Sequence, residues 1–515
     1  MAVISPKSVV LTVFIALVLD LLAFTLPLPL FPRLIDFYTV QESNDPTTLL
    51  ARSLAFFRYT RARLTSFAPG TYAPSGIEGG GIAANYNKKW DVVLLGGAMG
   101  SVFSLCQCVV SPFLGTLSDR YGRKKVLLAT MVGNIISALI WLQSTTFVSP
   151  ACGLEGANPA LIPALSLSQS SYMLSRLVGG LSEGNVQLST AIISDVTDAN
   201  TRSKSLALIG LAFSICFTFG PSLGAYFASQ PLPLSSKVAS STRWNVYAFP
   251  AAISVGLLAL ETVYLAVKLP ETKEYKASMK LEEKVAGERE DRGQREYRVS
   301  AKSARWNPAA VLTIVVIQAE FTLTFLTYDL FHATNKENGM LLSYIGILSS
   351  LLQGGYVRRA LSKGKISELT FTSQGITSCI LALLLMAALP FPAIKDSGYS
   401  TAVLYTIATC LAYTSATCVT GLMAAAAACC DEDDAQGGEN VDGGDSLPRG
   451  RALGGFRSRG QLGRAIGPLW ATSLYWTRGP SLAYSVAAGT LTLVVISMRG
   501  MVKEEVRRKK QIKVD

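Results

Sequence analysis

Ionisable side chains inside long apolar runs are the residues of this chain that could do chemistry. Asp20 lies within the run Val9 to Phe31, and Arg176, Glu183 and Gln187 lie within Ser170 to Ile193. Glu320 and Asp329 lie within Pro308 to Phe331. In hydrocarbon such groups are costly, and they persist mainly where they face a cavity or a partner. A carboxylate in a low-dielectric cavity has its charged form disfavoured, so it is suited to alternate between protonation states. Asp20, Glu320 and Glu183 are therefore the candidate proton carriers, although a helix-capping or interfacial place for Asp20 is the alternative. Arg176 offers a permanent charge and a forked donor set, for an anionic group or for one of the acids. Two helical turns separate Arg176 from Glu183 along one helix, which places them on one face roughly 10 Å apart. They could bracket a substrate, pair with side chains of the first and fifth spans, or form a buried structural ion pair.

The elements that must position these residues follow from composition. Half of the 515 residues are hydrophobic and 16% are charged, too apolar for an ordinary soluble enzyme. The formal charge of +12 sits in short clusters between apolar segments, which points to membrane topology and away from nucleic acid. The nine cysteines fall mostly inside apolar spans, so no structural disulfide is expected. His332 is the sole histidine, which leaves no Cys/His metal spacing, and no Gly-x4-Gly-Lys-(Ser/Thr) loop is present for ATP. No metal, cofactor or catalytic constellation is expected. The chain reads as an all-α, multi-pass protein of the lipid bilayer rather than an enzyme.

Between the second and third apolar runs stands Gly115-Thr-Leu-Ser-Asp119-Arg120-Tyr-Gly122-Arg123-Lys124-Lys125. Cations and glycines between two spanning segments imply a tight loop, and the positive-inside rule places it on the cytoplasmic face. The stretch resembles the loop between the second and third helices of major facilitator superfamily transporters, Gly-x-Leu-(Ser/Ala)-Asp-Arg-x-Gly-Arg-(Lys/Arg). That resemblance implies twelve transmembrane helices in two six-helix bundles that rock around a central site, and a loop that latches the bundles when the cavity opens outward. Asp20 with Pro29 and Pro32 is similar to the first helix of tetracycline and drug/proton antiporters, and Arg176-x3-Gly180 to the fourth-helix motif. Asp195-x-Thr-Asp198 resembles the tetracycline exporters. The segments 176–189, 320–327 and 353–359 look like the eukaryotic tetracycline-transporter-like group.

The fifth span ends in Gly220-Pro221-Ser-Leu-Gly224, a degenerate antiporter signature with Ala207 and Cys216 in place of its first two glycines. The pattern returns 247 positions later as Gly454, Gly463, Gly467 and Pro468, with Ala471 last. Such spacing is the mark of an internal duplication. Residues 1–270 are thus expected to form one bundle, with a long outside loop over 36–89. A charged cytoplasmic linker (271–305), a second bundle (306–498) with a flexible acidic insert (431–445) and a basic tail (499–515) complete the chain. Both termini are placed in the cytoplasm, in a membrane that the residues do not name. The expected function is secondary transport by a monomer: proton-coupled efflux, by antiport, of small organic solutes of the drug or organic-anion class. A uniporter or a non-transporting receptor on the same fold is the alternative.

Overall fold

The computed structural model describes residues 5–27, scattered positions between 51 and 63, and 80–146, 169–197, 199–229, 248–272, 322–333, 335–362, 368–435 and 449–511. Glu320, most of the 36–89 loop, the 273–305 part of the linker and the 436–445 part of the acidic insert lie outside the described residues. The first bundle comprises α1 (Pro6–Thr25), α2 (Gly80–Tyr121), α3 (Arg123–Thr146), α4 (Gln169–Ser182), α5 (Asn185–Val196), α6 (Ala199–Ser229) and α7 (Ala248–Lys268). The second comprises α8 (Leu323–Phe331), α9 (Asn335–Leu351), a π-helical turn (Leu352–Val357), α10 (Arg358–Ser362), α11 (Glu368–Ala388), the short α12 (Pro392–Lys395), α13 (Ser400–Ala435), α14 (Arg449–Arg478) and α15 (Pro480–Gln511). Among the described residues nine helices are long and apolar enough to cross a membrane, and no strand occurs. The chain is an all-α integral membrane protein of two packed bundles.

Each bundle has its own apolar core. Leu17, Leu21, Met131, Leu188, Ile192, Ile193 and Ala212 are among the residues that fill the first. Leu326, Leu383, Met386, Ile407, Tyr475, Tyr484 and Leu491 belong to the second. In a bilayer the apolar effect does not drive helices together, so close packing through small residues must hold them. Gly220 and Gly224 of α6 accordingly press on the end of α1, where a Cβ would collide with Thr25 and with the Leu26 carbonyl.

Two antiparallel seams join the bundles. Along the first, α2 meets α14 through Ser101 Oγ to the Ala465 carbonyl (2.7 Å), Ser458 Oγ to the Cys108 carbonyl (2.6 Å) and Gly454 against Ser111. Pro112 lacks the N–H that would bond Cys108, so Ser458 supplies a donor to a carbonyl that the proline orphans. Along the second, Ser214 of α6 bonds Ser349 Oγ (3.1 Å) and Gln353 Oε1 (3.2 Å), and Gly346 packs on Thr218. Gln353 sits in the π-helical turn and donates onward to the Ser415 carbonyl (3.2 Å).

Several elements run past their expected ends. The second span reaches Tyr121, because Gly115 continues the helix and only Gly122, at φ 104°, interrupts it before α3 begins. The expected loop is thus a single residue. The start of the acidic insert, Asp431–Ala435, extends α13 rather than forming a flexible loop, and the start of the basic tail extends α15; Ala runs and Glu/Lys/Arg-rich segments are strong helix formers. Gly220→Ala, which forces Thr25 aside, is expected to destabilise the fold by about 1–3 kcal/mol. Gly256→Ala, whose Cβ meets nothing within 4 Å, is the control and should be neutral or slightly stabilising. Thermal unfolding of the two purified variants checks the contrast.

Candidate transport site

The fourth span is not one helix. It breaks at Glu183-Gly184, so the expected two-turn register from Arg176 to Glu183 is interrupted. Glycine alone fits beside the break: a Cβ on Gly184 would lie 2.9 Å from Leu114 Cδ1, and one on Gly180 2.7 Å from the Phe103 carbonyl. Non-helical backbone at membrane depth is tolerated where it lines a cavity, and Glu183 does so together with Asp20, Asn134, Ser137, Trp141, Arg176 and Ser254. The cavity is about 50 Å³. That is room for a few waters, far below the roughly 300–1,000 Å³ of sites for organic ligands.

Asp20 is 4% exposed and faces the Asn185 side chain. Asn134 Nδ2 donates to Glu183 Oε2 at 3.3 Å. Arg176 makes no ion pair with Glu183 among the described residues; its guanidinium lies over the rings of Tyr172 (5.3 Å) and Phe103 (5.7 Å). Its buried Nε has no hydrogen-bond partner among the described residues.

The opposite bundle adds a cation to the field of these acids, with no ion pair to either among the described residues. Arg457 of α14 interacts electrostatically with both Glu183 and Asp20. With the Gln461 amide oriented to suit both neighbours, its oxygen accepts from Arg457 (3.1 Å) and its nitrogen donates to Gln107 Oε1 on α2 (2.9 Å). Arg457 is the functional residue that sequence reasoning overlooked. The signal was present: Arg457, Arg459 and Arg464 stand in a span otherwise read only for its glycines. Gln187 does not join the cavity, since its Nε2 donates to the Ser111 carbonyl (2.8 Å) at the α2–α14 seam. Asp329 is held apart in the second bundle, where Tyr475 Oη donates to its Oδ2 at 2.7 Å. Gly463 and Gly467 are buried in α14, and Pro468 and Pro221 are half-buried within their helices.

At the loop end the charges form a second constellation. The buried guanidinium of Arg123 binds Asp119 Oδ1 (2.8 Å), Asp195 Oδ2 (2.9 Å) and Ser118 Oγ (2.6 Å). Asp119 Oδ2 accepts the backbone N–H of Arg451 (2.9 Å), in the first turn of α14 on the other bundle. An anion at a helix N-terminus meets unsatisfied N–H groups and the positive end of the dipole. Glu271, which the sequence placed only at a boundary, does the same for α3: Oε1 accepts from Arg123 N (2.9 Å) and Oε2 from Lys124 N (3.2 Å). Lys124 Nζ bonds the Ala266 carbonyl (2.8 Å), and the Arg120 guanidinium lies 5.6 Å from the centre of the Tyr121 ring.

Two bundles joined by antiparallel seams, with acids lining a chamber beside a cation of the opposite bundle, are the architecture of a membrane transporter. Residues 11–434 match the profile of the Major Facilitator Superfamily, and the chain belongs to that family. It is similar to Major facilitator superfamily domain-containing protein 10 of Bos taurus, 29% identical over 95% of this chain and 92% of that one. The crystal structure of the human organic anion transporter MFSD10 (TETRAN) superposes with a TM-score of 0.69 at 27% identity, covering 96% of this chain and 99% of that one. A shorter likeness, 27% identity over 27% of this chain and 29% of its relative, is to the class B tetracycline resistance protein of Escherichia coli. These similarities bear out the transporter reading and exclude an enzyme.

Removing Arg457 takes a favourable cation from the field of buried Asp20 and half-buried Glu183, and a charged donor from Gln461. Arg457→Gln is expected to destabilise the fold by about 1–3 kcal/mol, the range for loss of a hydrogen bond from a charged donor. Glu183→Gln in the same chain should recover part of that loss, and a thermal-stability cycle over the four proteins checks it.

Proposed function

We propose that this chain is a proton-coupled antiporter that exports small organic solutes, organic anions among them, by alternating access. The observation that carries the reading is the placement of Asp20 and Glu183 on one bundle against Arg457 on the other. Protonating either acid removes its attraction for Arg457, so proton uptake is linked to how tightly α14 grips the first bundle. A ligand shifts a two-state equilibrium only by its differential affinity for the two states, and here the proton supplies that difference. The Arg176 donor without a hydrogen-bond partner among the described residues suits an anionic group. The likeness to a human organic anion transporter supports that substrate class, and the likeness to a tetracycline resistance protein supports efflux.

The small cavity and the joined loop end fit a state in which the path toward that end is shut. In this reading the Gly115–Lys125 loop and both termini are cytoplasmic, and the protein works as a monomer. Asp119 then acts as a latch that exists only while the bundles touch.

The test is flux in liposomes holding the purified chain, with a panel of radiolabelled organic anions and an imposed proton gradient. Export driven by that gradient, with counted proton entry, is expected. Flux indifferent to the gradient would mean uniport. Asp20→Asn should abolish gradient-driven flux while the folded protein still exchanges solute for solute; unaltered driven flux would remove Asp20 from coupling. Asp119→Asn is expected to shift the balance of states by some five- to 150-fold, the range of a coupling of about 1–3 kcal/mol, toward the form open at the loop end. Labelling of single cysteines at the two cavity mouths reads this, and equal labelling of variant and parent would leave the loop without a gating role.

A further inference from the structure

Glu261 of α7 is a third carboxyl that the arrangement above does not use. It is 1% exposed, and its Oε2 has no hydrogen-bond partner among the described residues. Ser254, Leu258 and Glu261 recur at helical spacing on one face of α7, and the first two line the chamber that holds Asp20 and Glu183. The charges that act on Glu261 are those same two acids. Among the described residues, the other elements packed on α7 bring no cation near it. On α3 the charged residues are Arg123, Lys124 and Lys125 at its start, fastened to the loop end, and Asn134 serves Glu183. On α6 they are Arg202 and Lys204, also at the start, with Arg202 donating to the Thr197 carbonyl. On α1 the remaining one is Lys7, at the first turn.

Its height in the membrane follows from the packing. Ser254 Oγ bonds the Ala23 carbonyl at 3.0 Å. Because α1 and α7 run antiparallel, the step from Ser254 to Glu261 brings the carboxyl about level with Ala16. That is one helical turn, roughly 6 Å, nearer the loop end than Asp20. It stands between the acid chamber and the end that Asp119 and Arg123 hold shut.

We propose that Glu261 is a proton-carrying residue, the loop-side member of a carboxyl series with Asp20 and Glu183, through which protons leave the chamber while the loop end stays closed to solute. An unpaired carboxylate in that position, deprived of water and flanked by two acids, would be strongly disfavoured, whereas the neutral acid is not. A proton hops between carboxyls and intervening water; an organic solute does not. The step is a transfer only: Glu261, neutral at rest, releases its proton toward the loop end and takes one in return from Asp20 or Glu183.

The inference rests on the proton coupling proposed above, and two measurements keep the two claims apart. Infrared difference spectra of the full-length protein between acid and alkaline buffer should show a protonated-carboxyl band that Glu261→Gln removes; an unchanged spectrum overturns the proposal whatever the transport result. In liposomes, Glu261→Gln should lose gradient-driven export of the same anion probes but keep solute-for-solute exchange. A lost band with undiminished driven export would make Glu261 a structural neutral acid and overturn the relay. If the parent protein itself shows no gradient-driven flux, the antiport reading fails instead. Should Glu261→Gln not fold, Glu261→Asp replaces it: a shorter ionisable arm is expected to displace the pH profile of driven export, and an identical profile overturns the relay.

Discussion

Buried Asp20 and half-buried Glu183 on one bundle sit in the field of Arg457 on the other. Charges removed from water are disfavoured by several kcal/mol each unless paired and hydrogen-bonded. Asn185, Asn134 and Arg457 offset part of that cost for Asp20 and Glu183, and of the three Arg457 alone acts across the interface. The registration of α14 against the first bundle is therefore tied to the charge state of the acids, and Gln461 and Gln107 hold the guanidinium at that register.

The rest of the interface is built so that this one electrostatic contact can matter. Both seams rely on glycine contacts and hydroxyl-to-carbonyl bonds, with backbone approaching backbone at Gly454 and Ser111. Each such bond in a membrane contributes only about 0.6–2 kcal/mol, because the separated helices find other partners. A seam of weak contacts can part and re-form, whereas an interlocked apolar core is bistable only at greater cost. At the loop end the helix-terminus contact of Asp119 adds a further increment of roughly 0.3–1 kcal/mol, up to about 2 where partly buried.

Stiffness is placed elsewhere. Arg123 is bound by two carboxylates and a hydroxyl, and Glu271 caps α3, so the loop end of the first bundle moves as one body. The break at Glu183-Gly184 lets a carboxylate enter the chamber beside Asp20, and the crowding at Gly180 and Gly184 keeps the broken segment in place. The π-helical turn around Gln353 performs a comparable service on the second seam, turning one side chain toward Ser214 and Ser415 at once.

The amino-acid sequence by itself determined the solvent, the class and the family. Long apolar runs need helices in a bilayer because backbone groups must be satisfied internally, and the Gly115–Lys125 stretch carries its family pattern in consecutive residues. Asp20, Arg176 and Glu183 were legible for the same reason: a charge in an apolar run has no innocent local explanation. What the tertiary structure decided is which of these groups meet. Gln187 and Asp329 looked equivalent to Glu183 along the chain, yet hydrogen bonds to Ser111 and Tyr475 withdraw them from the chamber. Arg457 is separated from Asp20 by 437 positions (457 less 20), and no periodicity within α14 reveals that it opposes α1 and the α4–α5 break. The helix break was not read from the sequence either: Gly184 weakens a helix locally, but a glycine inside an apolar run does not by itself say that the helix stops there. Local physics writes helices into a sequence; the pairing of buried charges is settled only when the two bundles close on each other.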